Sequence, residues 1–555
     1  MNKIVCSFPI LFALLALLIG TCAVVFPASA QAAPTSTGSI TVSGTVASSY
    51  DAYQIFSANV VDGDSDAKIA TDLAWASDAV RAAALPVMHS DGMPNSQTTA
   101  QEAAEWLNTD SHLTSALSAQ LARSFQSSGA VSVALNAGTA AELPCGYWLI
   151  VADDDAIAQG EAGTAPIMAL VGGSAVTVKP KAATPKVAKH VLEDSAAAWQ
   201  KAADATVADD LYWRLSATVP AGLTAYDAYT VRFVDTMSAG LDPSKVAASM
   251  RVYAAAGADG GFDAVQAGKD GRAGTEPAKG WTDITAQCAT KVAADGTFTV
   301  RTGDLIAALG GADAFTAGAR VVAVYNAPLN SACNHGIAKG NPNEVYLRYP
   351  RSPFADQSGD AGFTRTPSDD ACAYTWDLAL TKRGSDGDKP LAGAVLSIAD
   401  DRGRTLAADG TWDAEGKATV TTGEDGRVTV SGVDSGKLEV RELKAPKGYT
   451  AFEGTRSVTV KAEGLDVDQV AAAKPKLTIT AESPLRADSA DGSTGSLEAS
   501  LINTPTGTPP SITTGGFMPS TGDMAMYAAA AAAVAGAALI VVALLVKRGG
   551  GGHKE

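Results

Sequence analysis

Trp376-Asp377-Leu378-Ala379-Leu380-Thr381-Lys382 alternates its side chains as a strand does, and the row that carries Trp376, Leu378 and Leu380 ends on a lysine. A strand buries every second residue, so an inward ammonium is costly unless something answers it. Two further runs supply the answer. Leu438-Glu439-Val440-Arg441-Glu442 puts Glu442 on the face of Leu438 and Val440, and Leu497-Glu498-Ala499-Ser500-Leu501-Ile502-Asn503 ends its apolar face on Asn503. Inward Lys, Glu and Asn thus occur within one stretch of about 130 residues, the size of one domain.

The pattern recurs upstream. Lys189 shares a face with Val187 and Val191, Asp235 with Val231 and Phe233, and Asn343 with Val345, Leu347 and Tyr349. Such triplets suit attack of a lysine amine on an asparagine carboxamide, with loss of ammonia. Burial disfavours charge, so it lowers the pKa of an amine and raises that of a carboxylic acid. A neutral amine is a nucleophile, and a protonated Glu442 or Asp235 can hold the carboxamide oxygen and shuttle protons. Folding brings the partners together, so no outside enzyme is required. The bland reading is a buried Lys–carboxylate pair beside a hydrogen-bonded Asn. Lys186 is a competing nucleophile and Asn341 a competing acceptor. Each link is expected to join a first strand to a last one.

Around these runs the chain reads as mainly β. Short alternating stretches such as Ser39-Ile40-Thr41-Val42-Ser43 and Tyr229-Thr230-Val231-Arg232-Phe233 are separated by Gly/Asp/Asn-rich turns, which favours tandem β-sandwich domains. Ala, Leu and Trp at helical spacing predict helices near 74–85 and 99–125 in the N-terminal domain. The expected domains are 34–178, 182–372 and 373–506.

The ends are processed segments. Lys3 and the apolar run from Ile4 to Val25 precede Ala28-Ser29-Ala30, which reads as a signal peptide over 1–30; a cut after Ala33 is a second option. Cys22, preceded by Thr21, fits lipoprotein processing poorly. Met524 to Val546 is an apolar span of about 23 residues, long enough for a transmembrane helix. Lys547 and Arg548 then hold the tail 547–555 in the cytoplasm. A Pro/Gly/Thr-rich linker from Thr504 to Gly516 leads to Met518-Pro519-Ser520-Thr521-Gly522, the linker and motif together taking 507–522 after the last domain. Export removes Cys6 and Cys22, leaving Cys145, Cys288, Cys333 and Cys372, with Cys333–Cys372 the preferred disulfide among the three connectivities.

The pentapeptide, span and basic tail together resemble the cell-wall sorting signal of sortase substrates (LPXTG in its usual form), with Met518 in place of Leu. The resemblance implies cleavage after Thr521 and its transfer to an amine. Lys389-Pro390-Leu391-Ala392-Gly393-Ala394 and Glu442-Leu443-Lys444-Ala445-Pro446-Lys447-Gly448-Tyr449 look like a CnaB-type domain, with Glu442 as its E-box glutamate and Leu443 where Thr is usual. The stretch from Pro185-x-Val187-x-Lys189 through Val234-Asp235-Thr236 to Gly340-Asn341-Pro342-Asn343 resembles the CnaA-like middle domain of Gram-positive pilins. Tyr53-Gln54-Ile55-Phe56, Leu73-Ala74-Trp75 and Gly146-Tyr147-Trp148-Leu149-Ile150 resemble the N-terminal domain of fimbrial shaft subunits. Val178-Lys179-Pro180-Lys181 is similar to the pilin motif, with Lys181 as acceptor and Lys179, standing where Tyr is usual, as its alternative.

The family resembled is the sortase-assembled shaft pilins. It implies a secreted, wall-anchored subunit joined covalently to copies of itself and to peptidoglycan by pilus-specific and housekeeping sortases. Minor pilins and host or bacterial surface ligands would be further partners. A monomeric wall-anchored adhesin, or a tip or base subunit, is the alternative. Net charge of −17 argues against nucleic acid as a partner. The five histidines, His89, His112, His190, His335 and His553, lack zinc spacing, and no hydrolase or phosphate-loop motif is present, so neither an enzyme, a cofactor nor a metal is expected.

Overall fold

A computed structural model describes residues 36–64, 67–109, 112–180, 184–221, 223–257, 280–311 and 318–507. The expected signal peptide, Lys181, the expected sorting motif 518–522, the apolar span and the basic tail lie outside the described residues. Among the described residues no helix is long and apolar enough to cross a membrane. The chain is mainly β, and the described residues place their strands in six sheets with few helices.

The first two sheets use residues 37–178. The long strand Ser49–Asp62 pairs antiparallel with Gly146–Ala152, Lys68–Trp75 and Val133–Asn136. A smaller sheet sets Thr37–Val42 between Ala140–Pro144 and Val176–Val178. Three helices cover the larger sheet: Asp78–Ser90, Ala100–Asn108 and Ser115–Ser128. The first begins later than the sequence predicts. Residues 74–75 remain in the strand paired to Ser49–Asp62, and the Ser77 side chain accepts a bond from the Val80 amide, a cap that starts the helix there. The predicted 99–125 helix is two helices. Thr99 and Glu102 form a reciprocal capping box on one, and Thr114 caps the other. Ala84, Met88, Leu117, Leu121 and Phe125 pack on Tyr53, Phe56 and Leu149.

Residues 186–374 build a pair of facing sheets. One runs Ala198–Gln200, Lys186–Glu193, Tyr212–Val219, Ala319–Asn326, Arg251–Ala256, Thr282–Asp283. The other runs Ala202–Asp204, Asp369–Tyr374, Asn341–Pro350, Arg232–Met237, Thr297–Arg301, Ala289–Val292, with Phe363–Arg365 added on Asn341–Pro350. Trp213, Leu215, Val321, Ala323 and Tyr325 from the first interleave with Phe233, Phe298, Val345 and Leu347 from the second.

The last pair spans 376–505. Trp376–Gly384 lies between Arg427–Val433 and Ser496–Pro505, and its pairing with Ser496–Pro505 is parallel. The facing sheet centres on Gly436–Lys444, flanked by Val395–Ala399 and Thr455–Glu463. Only Thr375 separates the strand Asp369–Tyr374 of the middle sheets from Trp376. Cys372 and Tyr374 already pack in the core of this last sandwich. Across the junction the Trp376 indole donates to Asp204 at 2.6 Å, and Arg404 grips Asp209 at 2.5 and 2.8 Å.

The expected Cys333–Cys372 disulfide is not formed, and all four described cysteines are unbonded. Cys372 is turned into the C-terminal core, whereas Cys333 belongs to the middle one. Cys333 Sγ instead faces His335 Nε2 at 3.6 Å.

Candidate functional site

Two buried polar clusters occupy otherwise apolar cores. In the C-terminal sandwich, parallel pairing sets Lys382 opposite Leu501 and Gly384 opposite Asn503. Lys382 and Asn503 are therefore diagonal neighbours on one inward face. The Lys382 amine contacts the Asn503 carboxamide oxygen and lies 3.1 Å from Glu442 Oε1. Glu442 comes from the opposite sheet. It accepts from Asn503 Nδ2 at 2.9 and 3.1 Å and from the Phe452 amide at 3.1 Å. Lys382, Glu442 and Asn503 are at most 6 % exposed. Burial pulls the Lys382 amine down to about 8, against the opposing pull of the Glu442 carboxylate.

The middle cluster is built differently. Lys189 projects from one sheet, and Asp235 and Asn343 project from the other, so the groups meet across the sandwich. Their registers agree with this, since Lys189 pairs with Leu215, Asp235 with Val345 and Asn343 with Met237. The Lys189 amine contacts Asp235 Oδ2 and donates to the Tyr325 hydroxyl at 3.0 Å. Asn343 Nδ2 donates to the same hydroxyl at 2.8 Å, and that hydroxyl lies 3.2 Å from Asp235 Oδ2. Lys189, Asp235 and Asn343 are fully buried. Burial lowers the Lys189 amine to about 8 and raises the Asp235 carboxyl to about 6. Both shifts favour the neutral amine beside the protonated acid. Asp235 Oδ1 and Asn343 Oδ1 are buried without a hydrogen-bond partner among the described residues.

Tyr325 is the group that sequence reasoning missed. It follows Val321 and Ala323 on an inward row, where a tyrosine reads as core. Its hydroxyl, the one polar tip on that row, was the available signal.

The competing residues are placed elsewhere. Asn341 is buried, with its carboxamide bonded to the Asn334 amide and carbonyl and to the Ala373 carbonyl. Lys186 is exposed. The strand Asn341–Pro350 that carries Asn343 is not the last of its sheet, because Asp369–Tyr374 follows it; the expectation of a first-to-last link fails for this pair. Trp376–Gly384 and Ser496–Pro505 are the first and last strands of theirs.

At the junction after the N-terminal sheets, Val176 and Val178 turn inward and Lys179 is exposed. Lys68, the single lysine upstream in the described N-terminal part, is tied down. Its amine donates to the Gly172 and Ser174 carbonyls at 2.5 and 2.7 Å and pairs with Asp62.

Residues 377–474 match the SpaA family, described as a prealbumin-like fold domain. The match takes in Lys382 and Glu442 and ends before Asn503. Over 143 residues the chain is 30 % identical to the trypsin-resistant surface T6 protein of Streptococcus pyogenes serotype M6, covering 24 % of this chain and 24 % of that protein. The chain thus aligns with about a quarter of that relative's length. Among solved structures it is similar to the T6 backbone pilin of serotype M6 Streptococcus pyogenes, with a TM-score of 0.46 and 17 % identity over 85 % of this chain and 98 % of that one. It is also similar to the full-length major pilin SpaD from Corynebacterium diphtheriae, with a TM-score of 0.41 and 14 % identity over 85 % and 98 % of the two chains. The domain match and the T6 relative bear out the resemblance to Gram-positive shaft pilins.

Proposed function

We propose that this chain is the shaft subunit of a covalently polymerised, cell-wall-anchored fimbria, stapled internally by two Lys–Asn amide bonds. The observation that carries the reading is the buried contact of Lys382 with Asn503 beside Glu442. The prealbumin-like domain match and the likeness to a streptococcal surface protein support a structural rather than an enzymatic role.

The reaction balances without a co-reactant. The neutral Lys382 amine attacks Asn503 Cγ, a new C–N bond forms, the bond to the carboxamide nitrogen breaks, and ammonia leaves. Glu442 takes the proton lost by the attacking amine and returns it to the leaving nitrogen. The two bonds that it accepts from Asn503 Nδ2 support this part. In the middle sandwich Lys189 is the amine and Asn343 the carboxamide, and burial favours a protonated Asp235. The Tyr325 hydroxyl, which accepts from Lys189 Nζ and from Asn343 Nδ2 and donates to Asp235 Oδ2, links the acid to both partners.

The two links do different mechanical work. Lys382–Asn503 joins neighbouring first and last strands whose linked residues are 121 positions apart, so tension entering at Trp376 and leaving after Asn503 bypasses the sandwich. Lys189–Asn343 ties one sheet to the other and resists their separation. Resistance to force is governed by unfolding rate, which covalent shortcuts slow.

Tyr325 is a positioning residue in this scheme. Tyr325→Phe keeps the ring and removes the hydroxyl that holds both amine and carboxamide. It is expected to slow closure of the Lys189–Asn343 link by about 100-fold, read as slow loss of one ammonia by mass spectrometry after synthesis. Closure as fast as in the unsubstituted chain would remove the hydroxyl from the scheme. Glu442→Ala is expected to leave Lys382 and Asn503 unjoined while the middle link still forms.

A further inference from the structure

The strand Lys186–Glu193 carries the Lys189 amine, and one of its edges is only half paired. Tyr212–Val219 lies along one side, with Leu215 opposite Lys189. On the other side Ala198–Gln200 pairs with Val191, Leu192 and Glu193 and goes no further. Lys189 is fully buried, so its backbone amide and carbonyl need partners from the protein.

Two side chains finish this edge. Asp369 Oδ2 accepts from the Lys189 amide at 2.6 Å, and the Lys201 ammonium donates to the Lys189 carbonyl at 2.9 Å. The two side chains also contact each other, and Lys201 donates to the Asp370 carbonyl at 3.2 Å. A carboxylate and an ammonium thus stand where a neighbouring strand would pair, and bonds to charged groups are the stronger kind. Lys201 is the one residue between Ala198–Gln200 of the first sheet and Ala202–Asp204 of the second, where the chain crosses the sandwich. Asp369 opens the strand Asp369–Tyr374, whose Ala371 lies opposite Asn343. The pair therefore fastens the backbone beneath the amine to the strand beside the carboxamide.

We propose that Lys201 and Asp369 are positioning residues for closure of the Lys189–Asn343 link, gripping the Lys189 backbone so that its amine is held toward Asn343 across the sandwich. The proposal rests on the reading of this cluster as an amide-forming site. An amine on a backbone that shifts along an unpaired edge spends less time at attacking distance. The grip is balanced in charge. The Asp369 carboxylate favours the charged Lys189 amine and the Lys201 ammonium opposes it, which leaves burial in command of protonation. Asp235 and Tyr325 face the amine inside the core, and Asp370 and Glu344 stand beside the pair.

The test follows closure in the full-length chain made by cell-free translation into detergent micelles, sampled over time and read as the mass of the joined Lys189 and Asn343 peptides. The Lys382–Asn503 link in the same samples is the internal reference. Asp369→Ala is expected to slow Lys189–Asn343 closure by about tenfold and to leave the reference unchanged. Asp369→Asn keeps an acceptor for the Lys189 amide and is expected to recover most of the rate. Its rate profile moves toward lower pH, because the Lys201 ammonium then stands uncompensated near the amine. Lys201→Met leaves the Asp369 carboxylate uncompensated and moves the profile toward higher pH. These two variants carry the test should Asp369→Ala not fold. A corner pair that serves stability alone gives no such opposed displacement. Closure at the unsubstituted rate in the Asp369 variants overturns the proposal, and so do profiles that stay in place or move together. If the joined peptide never forms in the unsubstituted chain, the amide reading of this cluster fails and takes the grip with it, a result distinct from equal rates among chains that close.

Discussion

A soluble form of residues 34–506 is expected to weigh about 34 Da less than its sequence requires, one ammonia for each of two amide links. Lys382→Ala and Lys189→Ala are each expected to restore half of the deficit, and the double variant all of it. The four described cysteines are unbonded, so no disulfide hydrogens enter the comparison. The chemistry predicts a full deficit rather than a fractional one. Burial lowers both amines toward the neutral, nucleophilic form. Loss of ammonia is irreversible, so any standing neutral fraction drains the population to completion. Lys382→Ala also opens a closed loop of 121 residues. By analogy with disulfides that restores denatured-state entropy worth about 4–5 kcal/mol, read as a fall of about 10–20 °C in the melting of the C-terminal sandwich. Glu442→Gln separates lost linkage from lost lysine packing, since it keeps Lys382 and removes the proton carrier. A chain of full sequence mass would sink the stapled-fibre reading and leave two buried ion pairs with hydrogen-bonded asparagines.

The second large effect concerns assembly. Lys181→Ala is expected to abolish the high-molecular-weight ladder that surface extracts of the producing cells show on denaturing gels, leaving monomer anchored through Thr521. Lys179→Ala should leave the ladder intact. The neighbourhood supports a junction lysine. Lys68 is held by two carbonyls and Asp62, while Val176 and Val178 turn inward and Lys179 after them is exposed. If the ladder survives Lys181→Ala and disappears with Lys179→Ala, the acceptor is two residues earlier and the shaft role stands. If it survives both substitutions, the chain is a wall-anchored adhesin or a minor subunit.

Much of the candidate chemistry could be read from alternation alone. A strand has a period of two, so one apolar row states which neighbours face inward, and Lys382, Glu442 and Asn503 fall on such rows without reference to any fold. The same holds for Lys189, Asp235 and Asn343. Tyr325 escaped because a tyrosine in an apolar row carries no anomaly until its hydroxyl is seen between an amine and a carboxamide. The helix boundaries slipped because Ala-rich runs have helical spacing well beyond their caps, and the bonds made by Ser77, Thr99 and Thr114 mark where helix begins. The disulfide expectation rested on Cys333 and Cys372 flanking one loop-rich stretch, whereas the two thiols are apportioned to different cores.

Alternation, composition and the order of the terminal motifs therefore determined, by themselves, that this is a β-rich chain with charged groups turned into its cores, because inward or outward facing is a local property of the backbone. Which inward groups meet was decided only by tertiary structure. Parallel pairing made Lys382 and Asn503 neighbours within one sheet, whereas sheet-on-sheet packing brought Lys189 to Asp235, with Tyr325 bridging to Asn343. Register and sheet order arise from contacts between residues far apart in the chain, and no local pattern encodes them.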